Sequence, residues 1–181
     1  MATANQTIEN KKTGEKITWL ETASDTEGKR LVYLFEVNPR GRWPWVHAHE
    51  KQMKTLEVSK GFVTVSHGKS ASILTAGERI VIPKGVPHQW SNTSHDTPAV
   101  MTVTIEPALN TEVFLEQYYG LSNDNKTNEN GEPGFFQIMI MINEYKIYTE
   151  GPPLLLQKLM GWAFGGLGRL LGYKKYYPQY R

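Results

Sequence analysis

Three histidines are spaced so that they could act together. His47 and His49 lie two residues apart in Val46-His47-Ala48-His49-Glu50, and His88 follows Pro83-Lys84-Gly85-Val86-Pro87. In a β-strand, residues i and i+2 share a face. Two imidazoles on one inward face can grip one metal ion, or one anionic ligand, from the same side. An aromatic run, Trp43-Pro44-Trp45, leads into the pair. A lone His-x-His is common by chance, so the rest of the chain has to supply further ligands and a pocket. There is no cysteine, which excludes disulfides, thiolate zinc sites and cysteine nucleophiles. A metal here would be held by histidine, carboxylate or water. His67 falls at a hairpin tip and His95 in a loop beside Asp96, and both read as exposed to solvent.

The elements that must position these residues come from a chain of 181 residues, a length that suits one domain with an appendage. The net charge of +2 is too small to argue for nucleic acid. Residues 1–15 read as a polar, loosely docked leader without an apolar signal segment, so a cytoplasmic location is expected. Residues 16–107 carry seven or eight short strands of β-branched and aromatic residues, punctuated by Gly and Pro. That pattern predicts an antiparallel sandwich or barrel, with no helix before residue 108. The period then changes, and residues 108–181 read as an α-helical C-terminal extension. Its expected helices are 111–119, 135–148 (where the isoleucines would also suit a strand) and 154–171, followed by a basic, tyrosine-rich tail. Residues 108–150 hold two Lys/Arg and seven Asp/Glu, whereas 151–181 hold five Lys/Arg and no acid. The two parts are therefore expected to pack on each other.

The spacings through the β region are specific. Gly41, five residues, His47, one residue, His49, with Gly61 closing the block, forms a first set of anchors. Gly77, five residues, Pro83, one residue, Gly85, two residues, His88, three residues, Asn92 forms a second. Both blocks resemble the two-part signature of the cupin family. The resemblance implies a mainly β fold, a double-stranded β-helix (jelly-roll) barrel. It also implies one divalent metal ion (Fe, Zn, Ni, Cu or Mn) on His47, His49 and His88, a small-molecule substrate, and a homodimer. The family's fourth ligand is a glutamate, and that position here is Lys54. Glu57 has the opposite strand parity, Glu50 has the wrong parity, and Gln52 has the right parity but is assigned to a loop.

A lysine cation facing a dication is repelled by about 8 kcal/mol at 4 Å and an effective dielectric of 20. Lys54 must then turn away, lose its proton, or sit in a site without metal. Three functions follow. The first is a metalloenzyme of oxygenase, isomerase or cyclase type on three histidines, with Lys54 as its catalytic candidate. The second is a metal-free module binding an anion or metabolite, and the third is a degenerate barrel. Lys54, Trp45, Trp90, Tyr33 and Phe35 are the expected substrate-pocket residues, although barrel core is the commoner role for such aromatics. The apolar stretch 154–171 contains Gly161-x-x-x-Gly165. It is expected to pack on the barrel, on the acidic helix or in a dimer. A membrane-surface contact through 154–181 is the second choice.

Overall fold

A computed structural model describes residues 2–43 and 45–181; Pro44 of the aromatic run lies outside the described residues. Among the described residues, ten strands precede the first helix. They are β1 (Thr7–Asn10), β2 (Glu15–Glu21), β3 (Leu31–Val37), β4 (His47–His49), β5 (Met53–Lys60), β6 (Phe62–His67), β7 (Ser70–Thr75), β8 (Arg79–Ile82), β9 (His88–Ser91) and β10 (Ala99–Glu106). After them come α1 (Thr111–Asn123), α2 (Phe135–Tyr145), β11 (Ile147–Thr149), α3 (Leu154–Leu170) and a 3₁₀ turn at Pro178–Tyr180. The strands form two sheets, in the orders β1-β2-β3-β10-β5-β8 and β11-β4-β9-β6-β7. This is the mainly β, double-stranded β-helix architecture expected, with a C-terminal helical part. No described helix is long and apolar enough to cross a membrane.

The alternation of apolar and polar residues explains why these segments are strands with one buried face. Along β3, Leu31, Tyr33, Phe35 and Val37 turn inward; along β10, Ala99, Met101, Val103 and Ile105 do the same. Leu56 and Val58 of β5 continue the row, and so does Lys54. The single lysine in that row is the first sign that the barrel interior is not solely a packing core.

Two expectations are corrected. The leader is not loose: Thr7–Asn10 pair antiparallel with Glu15–Lys16-Ile17-Thr18, and Asn10 is fully buried. Helix α1 supplies partners for its polar groups, although Asn10 Nδ2 is buried without one. Ser122 donates to Asn10 Oδ1 at 2.8 Å, and Asn123 bonds across to the backbone of Glu9 and Lys11. The extension is also not purely helical. Helix α2 stops at Tyr145 because Lys146 adopts a left-handed conformation (φ 57°), and the following Ile147–Thr149 becomes β11. The expected packing of acidic on basic segments is present, through Glu144–Lys175 and Glu116–Arg181 contacts of 3.4 and 3.5 Å.

Where β2 begins, the Glu15 carboxylate is buried against α1. It accepts from Thr13 Oγ1 at 3.0 Å and weakly from Tyr119, and its other oxygen has no partner. Burial pushes its pKa up to about 7. The folded state therefore holds a proton that the unfolded chain releases near 4.5, and stability is lost as pH rises from 4.5 through 7. Glu15→Gln is expected to leave stability unchanged at pH 4. At pH 8 it should add about 3 kcal/mol, at roughly 1.4 kcal/mol per pH unit. Urea unfolding at the two pH values checks this; an equal gain at both would show that the carboxyl titrates normally.

Candidate metal centre

Strand β4 is only three residues long, and its neighbours hold it in place. On one side His47 is paired directly with His88 of β9. On the other, β11 pairs with all three residues, Ile147 with His49, Tyr148 with Ala48 and Thr149 with His47. The C-terminal extension thus covers what would otherwise be an exposed edge. The turn before β9 is anchored to β4 as well, because Gly85 N–H donates to the His49 carbonyl at 2.8 Å. Gly85 has a φ of +74°, a conformation glycine adopts without steric cost.

This pairing brings the three imidazoles together. The ring centroids of His47 and His88 are 4.3 Å apart, those of His47 and His49 are 5.2 Å apart, and those of His49 and His88 are 5.5 Å apart. One ring nitrogen from each lies within 4.8 Å of the others. All three residues are buried.

Their hydrogen bonds determine which nitrogens converge. His88 Nδ1 meets the Val86 carbonyl at 2.9 Å and His47 Nδ1 meets the Trp45 carbonyl at 3.3 Å. A carbonyl only accepts, so each Nδ1 carries the proton. His49 Nδ1 meets Gln52 Oε1 at 2.9 Å. The orientation of that amide is set in turn, because Gln52 Nε2 shares its two hydrogens among three acceptors, the carbonyls of Pro107 and Ala108, both at 2.9 Å, and Thr111 Oγ1 at 2.7 Å. All three Nε2 atoms are therefore left as bare lone pairs. Those of His49 and His88 are buried without any partner. Burial is the largest cause, with the nearby Lys54 amine next, of pKa values far below the ordinary imidazole range; that of His88 falls to about 3. The three rings are thus held neutral at pH 7, the form in which an imidazole can ligate a cation without first losing a proton.

Lys54 is buried on the inward face of β5, and its Nζ lies 3.3 Å from His47 Nε2. It does not snorkel to the surface. Burial pushes its pKa down to about 7, so at neutral pH a large share of the amine is uncharged. Glu57 is exposed, and Glu50 forms an ion pair with Lys158 of α3 at 2.6 Å. Neither carboxylate reaches the cluster.

His47, His49 and Lys54 open on a cavity of about 30 Å³, room for one or two waters, walled by Tyr33, Phe35, Trp43 and Trp90. Trp45, expected in this wall, instead lines an adjoining cavity with Phe114, Tyr118 and Met141. Trp43 takes its place, and its indole N–H is buried without a partner. The roof is made by Thr111, Phe114 and Leu115 of α1 and by Ile147 of β11. Sequence reasoning missed the roof, for which no local pattern exists. It also passed over Gln52, whose strand parity matched but which was assigned to a loop.

The fit to a metal is good by donor chemistry: three neutral imidazoles, each held at Nδ1, bring their Nε2 atoms together in a buried site, those of His49 and His88 without a partner and that of His47 beside the Lys54 amine. The family model described as "Cupin domain" matches residues 33–105. The RmlC-like cupin of Shewanella frigidimarina is 22% identical over 62% of this chain and 95% of that one, with a TM-score of 0.51. TT1209 of Thermus thermophilus is 30% identical over 44% of this chain and 74% of that one, with a TM-score of 0.42. A predicted oxalate decarboxylase of Thermotoga maritima is 17% identical over 57% and 92%, with a TM-score of 0.49. The comparison with curated proteins returned no match.

Proposed function

The chain belongs to the cupin family, and on that premise we propose that it is a small-molecule metalloprotein, with His47, His49 and His88 holding one divalent ion. The observation that carries this reading is the set of three converging Nε2 lone pairs, two of them buried without a partner. When bound, Fe, Zn, Ni, Cu or Mn would supply Lewis-acid or oxygen chemistry at a position the histidines leave open.

The chain's own residues have distinct parts in this proposal. The carbonyls of Val86 and Trp45 and the Gln52 amide orient the imidazoles. Lys54, in its neutral form, can take a proton from a bound ligand or donate a hydrogen bond to it. The Trp43 indole N–H adds a second donor. The walls of Tyr33, Phe35 and Trp90 leave room for no more than one or two waters. The cavity in its closed form takes only a small group, so an organic substrate of oxygenase, isomerase or cyclase type would enter with Phe114 and Leu115 of α1 displaced.

A second reading is favoured by one contact. The Lys54 amine sits against His47 Nε2, the lone pair a metal would need. In a metal-free barrel, Lys54 and the histidines would bind a small anion instead. Elemental analysis after reconstitution separates the two: about one ion per chain supports the metal site, and none with any of the five metals rejects it.

Gln52 gives a finer test. Gln52→Leu removes the acceptor that holds His49 and leaves two backbone carbonyls short of a donor. Losing such an outer contact typically weakens metal binding tenfold to a hundredfold. Competition against a chelator should show that loss with the stoichiometry unchanged. Equal affinity in the variant would mean that His49 needs no such support.

A further inference from the structure

The cavity at the histidines has a neighbour. Trp45, Tyr118, Ile138, Met141 and Ile142 enclose a second cavity, of about 20 Å³. Among the described residues no charged side chain lines it, and the Thr149 hydroxyl on its wall already donates to Gln157. An apolar void of that kind excludes water. Phe114 of α1 and Ile147 of β11 line both cavities, so one phenyl ring and one isoleucine side chain form the partition. Close-packed interiors hold few voids, and here two adjoin at the candidate metal centre.

The two cavities differ in how they reach solvent. Every described residue lining the polar cavity is buried, Phe114 included at 5% exposure. The apolar cavity has three partly exposed residues on its wall, Trp45, Ile138 and Thr149. A ligand that reaches the histidines through it passes between Trp45 and α2 and then displaces Phe114. Helix α2 is the fixed side of that passage, because the glycines of α3 press against its back. A Cβ at Gly165 would stand 3.1 Å from the Met139 carbonyl, and one at Gly168 would stand 3.2 Å from the Phe136 side chain. Phe114 is the movable side. It has free volume on both of its cavity faces, so a change of rotamer joins the two spaces.

We propose that the two cavities are one binding site, for a small carboxylic acid with an unbranched or aromatic apolar body. The proposal rests on the reading of the three-histidine cavity as the place where a ligand's polar end binds. The carboxylate goes there, where the Lys54 amine, the unpartnered Trp43 N–H and an ion on the histidines all favour an anion. The apolar body takes the place of the Phe114 ring and lies between Trp45 and Met141. A polyhydroxylated body, such as a sugar, is excluded, since each hydroxyl buried in that space would lack a partner. The C-terminal extension, and not the barrel, thereby sets what the site accepts.

Calorimetric titration of the full chain, reconstituted with zinc, against the n-alkanoates from acetate to octanoate tests the proposal. One acid per chain is expected, tightening about fourfold with each added methylene until the apolar cavity is full and the gain stops. Hexylamine, a cation with a tail of similar length, should not bind. Ile138→Trp alters a partly exposed residue of the cavity wall and fills the passage. In that variant acetate should bind as before, and hexanoate no tighter than acetate. A series without slope in the unmodified protein would overturn the proposal, as would no binding by any acid or equal binding of hexylamine. An unchanged slope in Ile138→Trp would overturn it too, because the tail would then lie elsewhere. These outcomes are read from the chain-length series, whereas the metal reading fails on an elemental analysis without zinc, so the two failures are distinct.

Discussion

Chelator-stripped protein is expected to take up one divalent ion and to gain thermal stability in doing so, and His88→Ala is expected to lose both effects. The folded chain presents a preformed set of neutral donors, whereas the unfolded chain has no such arrangement, so the ion binds the native state and stabilises it by mass action. With free ion at a hundred times its dissociation constant the gain is about 2.7 kcal/mol. For a chain of this size that is a rise in melting temperature of roughly 5–10 °C. His88 is the informative position. Its Nε2 has no partner in the protein, and its Nδ1 bonds only the Val86 carbonyl, so alanine costs the apo fold little beyond the ring's packing. Scanning calorimetry with and without each of Fe(II), Zn, Ni, Cu and Mn makes the comparison. If no ion shifts the unmodified protein, the metal reading fails. If His88→Ala responds as the unmodified protein does, the ion lies elsewhere.

Lys54→Met is expected to stabilise the metal-free protein, and by an amount that depends on pH in a defined direction. The amine has a folded pKa near 7 against 10.5 when unfolded. Between those values the unfolded chain holds a proton that the folded chain gives up, so wild-type stability rises with pH across that window. The penalty is fully present at and below pH 7, on the order of 5 kcal/mol at about 1.4 kcal/mol per unit, and is gone near pH 10.5. Methionine fills the same space with no charge to bury. Its advantage in urea unfolding should therefore be largest at pH 6–7 and shrink steadily toward pH 10. An advantage that stays constant with pH would show that the amine is hydrated and charged. Such a cost beside three histidines would support the part proposed for Lys54 in the site over a role in the core.

The predictions rest on features that were unequally legible. The barrel was readable because its determinants are local. Period-two alternation marks the strands, and Gly41, Gly77, Pro83 and Gly85 mark the turns at the spacings of the two motif blocks. His47 and His49 were readable for the same reason, since two residues on one strand share a face by geometry alone. The helix at 154–171 was readable from its apolar length, but its two faces were not distinguished, because glycine reads as weak in any helix pattern until a neighbour is seen to press against it.

In the sequence, strand period and turn residues marked an antiparallel sandwich or barrel, and the resemblance of its two anchor blocks to the cupin family implied the jelly roll, the grouping of His47, His49 and His88, and a lysine where the family places a carboxylate. Strand period, turn chemistry and anchor spacing operate over a few residues and survive in the linear chain. Tertiary structure alone decided the rest. It turned Lys54 inward to His47 and placed Gln52 where it orients His49. It brought β11 from residue 147 to hold the short β4, and it set α1 over the cavity. The β11 and α1 contacts join positions roughly sixty to a hundred residues apart; Gln52, three residues from His49, is aimed by acceptors 55 to 59 residues away; and Lys54 depends on a register set by pairing with β8 and β10. The free energy that fixes such contacts comes from burying surfaces that meet only once the chain has folded, so no local pattern encodes them.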